Sequence, residues 1–220
     1  MYNFPMAILV KYDIEFNNIF ELIYNTSVIS DDYEIINLEK SKLIVHYDKN
    51  TMNVASVVIE QNSINHLKQW SIASDNFKSK IEENINKNTE KQYIFTDKAT
   101  INVGKIIERS PHPKSEKLFV LKVDFGNEVK QIITNTTYTS KGKYLAWYNA
   151  GSLSPDGNEI KLGEVMGVSS EGMLCSADSL GLTDFKEEFE NDVLASIENN
   201  QKDMKLGENI TNFWPELVGL

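Results

Sequence analysis

The sequence predicts two domains, an N-terminal α+β domain followed by an all-β domain that forms a small closed barrel. The chain has 220 residues, a length typical of one or two domains. Between Ala99 and Leu182, short β-rich runs alternate with Gly, Pro, Asn and Asp, which favours a barrel over a parallel α/β sheet. The first glycine of the chain is Gly104, so the N-terminal half lacks a glycine loop that could cradle phosphate.

The N-terminal half shows both helical and strand-like patterns. Four apolar residues recur at the i, i+3, i+4 and i+7 positions of a short helix: Phe16, Ile19, Phe20 and Ile23. A polar segment at 61–92 also favours helix. Runs rich in β-branched and aromatic residues predict strands at 7–12, 33–38, 43–47 and 54–60. We therefore predict an α+β domain of unknown function over residues 1–92, with the domain boundary near Lys91–Phe95.

The barrel domain is expected over residues 93–207, with 208–220 as a C-terminal extension. Its first strand contains Ile101 and Val103 and should end at Ser110–Pro113, because proline is not tolerated in central strands. Further strands are expected at 118–123, 130–134 and 143–148. Turn signals lie at 125–128 and 154–158.

Composition narrows the class of protein. With 41% hydrophobic and 25% charged residues, the chain is typical of a soluble globular protein, and we expect a cytoplasmic location. The single Cys175 excludes an internal disulfide, and we interpret it as a buried structural thiol. The three histidines are scattered, with no ligand at zinc spacing around them. We therefore predict no catalytic residue, no metal site and no cofactor.

Charge is distributed unevenly along the chain. The net charge is −10, which is unusual for a nucleic-acid-binding protein because phosphate binding favours clustered Lys and Arg. Residues 99–183 carry 9 basic and 9 acidic side chains, whereas residues 184–220 carry 3 basic and 9 acidic side chains. The predicted barrel is therefore the least acidic part of the molecule, and a local basic face on it is compatible with the total charge.

Four motifs occur in order along the barrel region: His112-Pro113 with Lys117-Leu118, Val123-Asp124-x-Gly126, Gln131-Ile132-Ile133, and Gly167-Val-x-Ser-x-Gly-Met-Leu-x-Ser176. On these motifs the region resembles the tRNA-binding barrel that occurs free-standing, appended to methionyl-tRNA synthetases, and inserted in the phenylalanyl-tRNA synthetase beta subunit. The whole chain is similar to the YtpR-type tRNA-binding protein family. The resemblance implies an OB-type barrel (OB-fold) that binds tRNA without performing chemistry.

Lys114 and Lys117 follow the His112-Pro113 pair. OB-type barrels bind nucleic acid through one sheet face and adjacent loops, so two lysines on such a loop would contact phosphate. The alternative is that the prolines shape a turn and the lysines are ordinary solvated charges. His112 itself is expected to be a structural hydrogen-bonding residue.

Ser170, Gly172 and Met173 form the second group. The resemblance places this segment on the tRNA-facing side, where Ser170 would donate a hydrogen bond and Met173 would offer an apolar surface. Gly172 would let the backbone approach the ligand closely. The alternative is a tight turn in which Ser170 bonds to its own backbone.

Lysines and aromatic residues are interleaved on the later strands. Lys122 and Lys161 are expected to contact the RNA backbone, and Asn135 could donate hydrogen bonds. Trp147 and Tyr148 suit base stacking, although alternating aromatic residues in strands are more often core. The predicted tRNA-binding residues are Lys114, Lys117, Lys122, Asn135, Lys161, Ser170, Gly172 and Met173.

The predicted function is non-catalytic binding of tRNA through its shape and backbone. The alternative is a protein-interaction module whose degenerate barrel has lost affinity for nucleic acid, as the acidic total and an apolar Met166 before the Gly167-Val168 pair suggest. We expect tRNA as the partner, with a protein partner or self-association through the N-terminal domain as a hypothesis. The sequence contains no membrane-spanning run of about 20 apolar residues.

Overall fold

The computed structural model describes residues 5–12, 16, 18–61, 68–191 and 206–220. These residues divide into two compact units. The first unit contains the described residues of Pro5–Ala99 and Glu216–Leu220. The second unit contains the described residues of Thr100–Pro215. Within the described residues, no helix has both the length and the apolar character required to cross a membrane.

The first unit is mainly β. Its elements are β1 (Ile8–Lys11), β2 (Ile19–Ile23), β3 (Asp32–Asn37), β4 (Ser41–Tyr47), β5 (Val54–Gln61), β6 (Trp70–Ile72) and helix α1 (Asp75–Lys87). The strands form one antiparallel sheet in the order β3-β4-β5-β2-β1-β6. The expected α+β domain therefore has a larger β content than the sequence pattern predicted.

The helix predicted from Phe16 to Ile23 is wrong, because Ile19–Ile23 is strand β2. Its side chains alternate, with Phe20 and Leu22 buried and their neighbours partly exposed. Hydrogen-bonded pairing with β1 on one side and β5 on the other decides the conformation. The buried face of the strand is formed by Phe20 and Leu22, a period of two that the four apolar residues at helical spacing do not include.

The helix predicted at 61–92 is shorter than expected. It begins after Ser74, whose Oγ accepts a hydrogen bond (3.2 Å) from the Phe77 backbone N–H, and it ends at Lys87. Ile81 and Ile85 are buried against the sheet. Residues 70–72 are strand β6, and residues 62–67 lie outside the described residues.

The two units divide after Ala99, whereas the sequence pattern placed the division after residue 92. Residues 93–99 belong to the first unit, because Tyr93 is buried in its core and Ile94 pairs with Asn53. The Ile94 N–H also donates to the Met52 carbonyl oxygen (2.9 Å). The predicted C-terminal extension at 208–220 is divided between the two units.

The second unit contains a barrel-like arrangement of strands. Its elements are β7 (Ile101–His112), β8 (Ser115–Asp124), β9 (Val129–Thr134), β10 (Tyr144–Asn149), β11 (Gly163–Val165), β12 (Val168–Ser170), β13 (Gly172–Leu174) and a short helix α2 (Lys186–Asn191). Five strands form an antiparallel sheet in the order β13-β10-β7-β8-β9, and β11 pairs with β12. The core contains Ile106, Leu121, Val123, Ile132, Leu145 and Trp147.

Strand β7 continues through Pro111, where the sequence predicted a break. Strand β10 pairs with β7 only as far as Lys105, whereas β8 pairs with β7 as far as His112. On that side the backbone pairing ends at Ile106, which bonds to residues 142 and 143, so among the described residues β8 is the one strand beside Pro111. This is the edge setting in which proline is tolerated. The break was predicted from the residue type alone, without knowledge of which strands flank it.

Residues 207–209 form backbone hydrogen bonds with β7. The Gly207 N–H donates to the Val103 carbonyl oxygen, and the Val103 N–H donates to the Glu208 carbonyl oxygen, each at 2.9 Å. Asn102 pairs with Asn209 in the same ladder. Residues 207–209 therefore extend the hydrogen bonding of β7 at its N-terminal end.

Candidate nucleic-acid interface

Two hairpin tips of the second unit meet at one end of the sheet. The β7–β8 turn contains Lys114, and the β11–β12 turn contains Met166 and Gly167, both in the left-handed backbone region. His112 is buried and joins the tips, because its Nε2 lies 3.1 Å from the Val165 carbonyl oxygen. Its Nδ1 accepts a hydrogen bond from the Lys114 backbone N–H (3.1 Å), so Nε2 carries the proton. His112 is thus a structural hydrogen-bonding residue.

Lys114 and Lys117 are both exposed at this end. A Cβ placed on Gly167 would lie 2.9 Å from the Lys114 Nζ, so the Lys114 ammonium group lies over the second hairpin tip. The Lys117 backbone N–H donates to Ser115 Oγ (3.2 Å). The Lys117 side chain lies on the surface. Neither ammonium group has an ion-pair partner among the residues that the structure describes. Both are therefore available to a polyanion.

Ser170 and Glu171 link the two ends of the five-stranded sheet. The Ser170 Oγ accepts a hydrogen bond from the Ile133 N–H (3.1 Å) and donates to the Gly172 carbonyl oxygen (3.2 Å). The Glu171 N–H donates to the Gln131 carbonyl oxygen, and the Gln131 N–H donates back to Glu171 Oε2, each at 2.8 Å. These bonds join β9 to the β12–β13 segment and leave the Ser170 hydroxyl engaged within the protein.

Gly172 approaches another strand rather than an open surface. A Cβ on Gly172 would stand 2.6 Å from the Tyr148 carbonyl oxygen and 3.3 Å from Ile132 Cδ1. Met173 follows on β13, half-buried and opposite Tyr148. The glycine predicted to admit a ligand therefore admits the backbone of β10.

The remaining predicted residues differ in their surroundings. Lys122 lies on β8 between Glu108 of β7 and Gln131 of β9, and it is partly buried. Asn135 is exposed directly after β9. Lys161 is exposed but forms an ion pair with Glu159 at 2.6 Å. An acidic partner at this distance compensates the Lys161 charge, whereas Lys114 and Lys117 have no such partner among the described residues.

Trp147 and Tyr148 are core residues, which is the alternative that the sequence pattern favoured over base stacking. Both side chains are fully buried, and the Trp147 Nε1–H donates to the Gly104 carbonyl oxygen (3.1 Å). Burial raises the pKa of the Tyr148 hydroxyl, whose proton is donated to the Ser179 carbonyl oxygen (3.3 Å). Every residue of β10 after Tyr144 is buried, because the strand lies between β7 and β13.

Arg109 and Phe119 form a pair outside the eight predicted tRNA-binding residues. The Arg109 guanidinium carbon lies 3.5 Å from the centroid of the Phe119 ring, and the arginine is exposed. Antiparallel pairing of β7 with β8 brings them together, since Arg109 is opposite Leu121 and Pro111 is opposite Phe119. The register of this hairpin, which follows from the Pro113-Lys114 turn, was the signal in the sequence that could have found the pair.

Among the described residues, no group of three or more His, Cys, Asp or Glu side chains is placed to hold a metal ion. Cys175 is fully buried, and burial raises the pKa of its thiol well above the ordinary value.

Comparison with known proteins places residues 101–209 in a family described as "Putative tRNA binding domain". The "Putative tRNA-binding protein YtpR" of Bacillus subtilis is 33% identical over 112 residues, which cover 50% of this chain and 56% of YtpR. The phenylalanine–tRNA ligase beta subunit of Clostridium acetobutylicum is 36% identical over 130 residues, which cover 58% of this chain and 15% of the subunit. The matched region is therefore about half of YtpR and a small part of the ligase subunit. The crystal structure of a MetRS related protein from Pyrococcus horikoshii is 27% identical, covers 35% of this chain and 67% of that chain, and has a TM-score of 0.28.

Proposed function

Residues 101–209 belong to the tRNA-binding domain family, and from this premise we propose that the protein binds tRNA through an OB-type barrel without catalysing a reaction. The observation that carries the proposal is the pair of exposed lysines at the joined hairpin tips, Lys114 and Lys117. Unpaired ammonium groups on a rigid support are suited to phosphate contact, which fixes the position of an RNA without reading its sequence.

The rest of the contact surface extends from these tips along β8 and the end of β9. Lys122 would approach the RNA backbone from the strand, and Asn135 would donate hydrogen bonds from the loop after β9. Lys161 would contribute less, since it would first have to separate from Glu159. RNA recognised in this way is selected mainly by its shape and its backbone.

Arg109 is proposed as a stacking residue near the hairpin tips, on the face of the β7–β8 pair opposite to Lys122. Its guanidinium plane lies on Phe119, and one face of the side chain remains open to solvent. RNA-binding proteins stack unpaired bases on aromatic rings and on guanidinium planes. The Arg109–Phe119 pair would therefore hold a splayed base next to the lysine contacts.

Ser170, Gly172 and Met173 are proposed to act by shaping this surface. The Ser170 hydroxyl and the Gly172 backbone hold β9, β10 and β13 together, so they fix the support from which the lysines extend. The alternative of a protein-interaction module is not favoured, because the least acidic part of the chain coincides with the matched tRNA-binding region.

The test is tRNA binding measured against salt concentration, with the wild-type protein beside the double variant Lys114→Ala/Lys117→Ala. Loss of two phosphate contacts should lower the slope of log affinity against log salt by about 1.4 to 1.8. The double variant Lys80→Ala/Lys98→Ala removes the same charge from exposed positions of the first unit and is the matched control. Absence of salt-dependent binding by the wild-type protein at low salt would contradict the proposal, as would an equal loss in both variants.

A further inference from the structure

The tip of the β11–β12 hairpin has a backbone conformation that its residue types do not favour. Val165 pairs with Val168, so a two-residue turn joins the strands, and Met166 (φ 52°) and Gly167 (φ 80°) both lie in the left-handed region. Positive φ at both central residues is typical of a type I′ turn, which favours Asn-Gly, Asp-Gly or Gly-Gly. A methionine therefore stands where a small polar residue or glycine is expected, and the left-handed conformation is unfavourable for it.

Packing does not offset this strain at Met166. Among the described residues, two that are not glycine have a positive φ, and the other is Met52. The Met52 side chain packs against the core of the first unit. Met166, in contrast, is 54% exposed, and Val165 beside it is 36% exposed. Strained residues persist where packing or function requires them, and packing does not require this one.

Hydrogen bonds hold both strands of this hairpin in place. The Val165 carbonyl oxygen lies 3.1 Å from the His112 Nε2. The Gln131 side-chain amide donates to the Ser169 carbonyl oxygen (2.9 Å). One position on each strand is thus tied to the five-stranded sheet, so the hairpin presents Met166 from a fixed support.

A cation lies at the same tip. A Cβ on Gly167 would be 2.9 Å from the Lys114 Nζ, so an ammonium group stands beside the exposed apolar surface. Glu164 is on the opposite face of the hairpin from Val165, because side chains alternate along a strand, and within the described part of the chain neither Glu164 nor Glu116 forms an ion pair with Lys114. Apolar surface next to an ammonium group matches a nucleotide, which combines a flat base with an anionic phosphate.

We propose that Met166 packs against an unpaired base of the bound tRNA while Lys114 contacts a neighbouring phosphate, an inference that rests on the proposed function. The thioether of methionine is polarisable and makes favourable contacts with aromatic planes. Because bases inside a duplex are stacked on one another, a base at this tip comes from a single-stranded or looped part of the RNA. Met166 is then a contact of the interface, and not the sign of lost affinity that an apolar residue suggested at this position.

The test compares tRNA binding by the full-length wild-type protein and by Met166→Asn. Asparagine suits a type I′ turn, so the midpoint of urea unfolding should rise in the variant. Loss of the apolar contact should lower tRNA affinity about two- to tenfold at fixed salt. The slope of log affinity against log salt should stay at the wild-type value, because Lys114 keeps its phosphate contact. A residue that only supported the fold would give a variant that is less stable.

A long RNA duplex, which offers no unpaired base along its length, is the second probe. The wild-type protein and Met166→Asn should bind it equally. Val129→Asn is the matched control, because Val129 is 52% exposed in the same unit but pairs with Asp124, at the end of β8 distant from Lys114. This variant should bind tRNA like the wild type.

Equal tRNA affinity of the wild-type protein and Met166→Asn would overturn the inference and leave the proposed tRNA binding intact. An equal loss by Val129→Asn would also overturn it, and so would a loss on the RNA duplex as large as that on tRNA, since Met166 would then contact the RNA backbone. A lower urea midpoint for Met166→Asn would assign Met166 to the stability of the hairpin instead. A wild-type protein that binds no tRNA at low salt would contradict the proposed function itself, and the inference with it.

Discussion

The backbone of Gly172 passes so close to Tyr148 that a Cβ at position 172 would stand 2.6 Å from the Tyr148 carbonyl oxygen. Real Cβ atoms are essentially never found so close to a backbone oxygen, and the same Cβ would also be 3.3 Å from Ile132 Cδ1. Gly172 therefore allows β13 to lie against β10 while β9 packs from the other side. The absence of a side chain is required here for space, since its φ is outside the left-handed region.

Gly172→Ala should destabilise the second unit. The added methyl group meets backbone on one side and a core side chain on the other, so β13 must move away from β10 and the core loosens. Overpacking of this kind costs about 1–3 kcal/mol in the free energy of unfolding. Urea unfolding followed by tryptophan fluorescence measures the change, because Trp147 is buried in this core.

Gly163→Ala provides the comparison for that measurement. Gly163 is exposed on β11, and a Cβ there would meet nothing within 4 Å. Its free energy of unfolding should stay within about 0.5 kcal/mol of the wild-type value. Equal stability of the two alanine variants would show that β13 is free to shift and that the close approach is not required.

At Gly172, the sequence predicted one feature of the site but not its partner. The motif around it was sufficient to predict that a backbone approach takes place there, but a sequence does not say which backbone or ligand approaches. The approaching group is a strand that lies 24 residues earlier in the chain, at Tyr148. Likewise, the order of turns and strands from β7 to β10 was predictable because each turn carries its own Gly, Pro or Asp signal.

Features that depend on non-local neighbours were predicted poorly. The residues of β2 fit a helical period and become a strand because β1 and β5 flank them. Pro111 is tolerated in β7 because β10 ends its pairing at Lys105. In each case the deciding contact comes from residues distant in sequence, and no local pattern contains it.

The lysines of the proposed interface should differ in their contribution. Lys114→Ala should reduce the slope of log tRNA affinity against log salt by about 0.7 to 0.9, the value for one phosphate contact. Lys161→Ala should change the slope less, because Glu159 already neutralises Lys161 at 2.6 Å. Filter binding of tRNA over a salt series measures both slopes. If Lys161→Ala has the larger effect, the contact surface lies beside the 154–158 turn rather than at the hairpin tips.

Arg109→Lys should separate stacking from charge. The variant keeps one positive charge, so the salt slope should stay at the wild-type value, while loss of the planar guanidinium should lower tRNA affinity by about tenfold at fixed salt. Arg109→Ala removes charge and plane together and should also lower the slope. Binding by Arg109→Lys that equals wild type would mean that the arginine only covers Phe119.

The acid sensitivity of the first unit should depend on Glu34. This carboxylate of β3 accepts hydrogen bonds from the Tyr93 hydroxyl and from Thr89 Oγ1 (3.0 Å), and it lies 3.5 Å from the Lys91 Nζ. Burial opposes its ionisation, but these hydrogen bonds and the Lys91 charge outweigh burial and hold the pKa of Glu34 below its ordinary value. Its charged form therefore links β3 to the 89–93 segment.

The sign of the pH effect follows from that lowered pKa. An unfolded chain protonates Glu34 near pH 4.3, whereas the folded protein does so only at lower pH, so the stabilisation is present above about pH 4.3 and disappears as the pH falls through the folded value. Glu34→Gln should consequently be less stable than wild type at pH 7, and the two proteins should converge in acid. Urea unfolding across a pH series measures the difference. Glu39→Gln, at an exposed position in the turn after β3, should follow the wild-type curve throughout. A Glu34→Gln deficit that persists unchanged in acid would assign the loss to packing rather than to the carboxylate's charge.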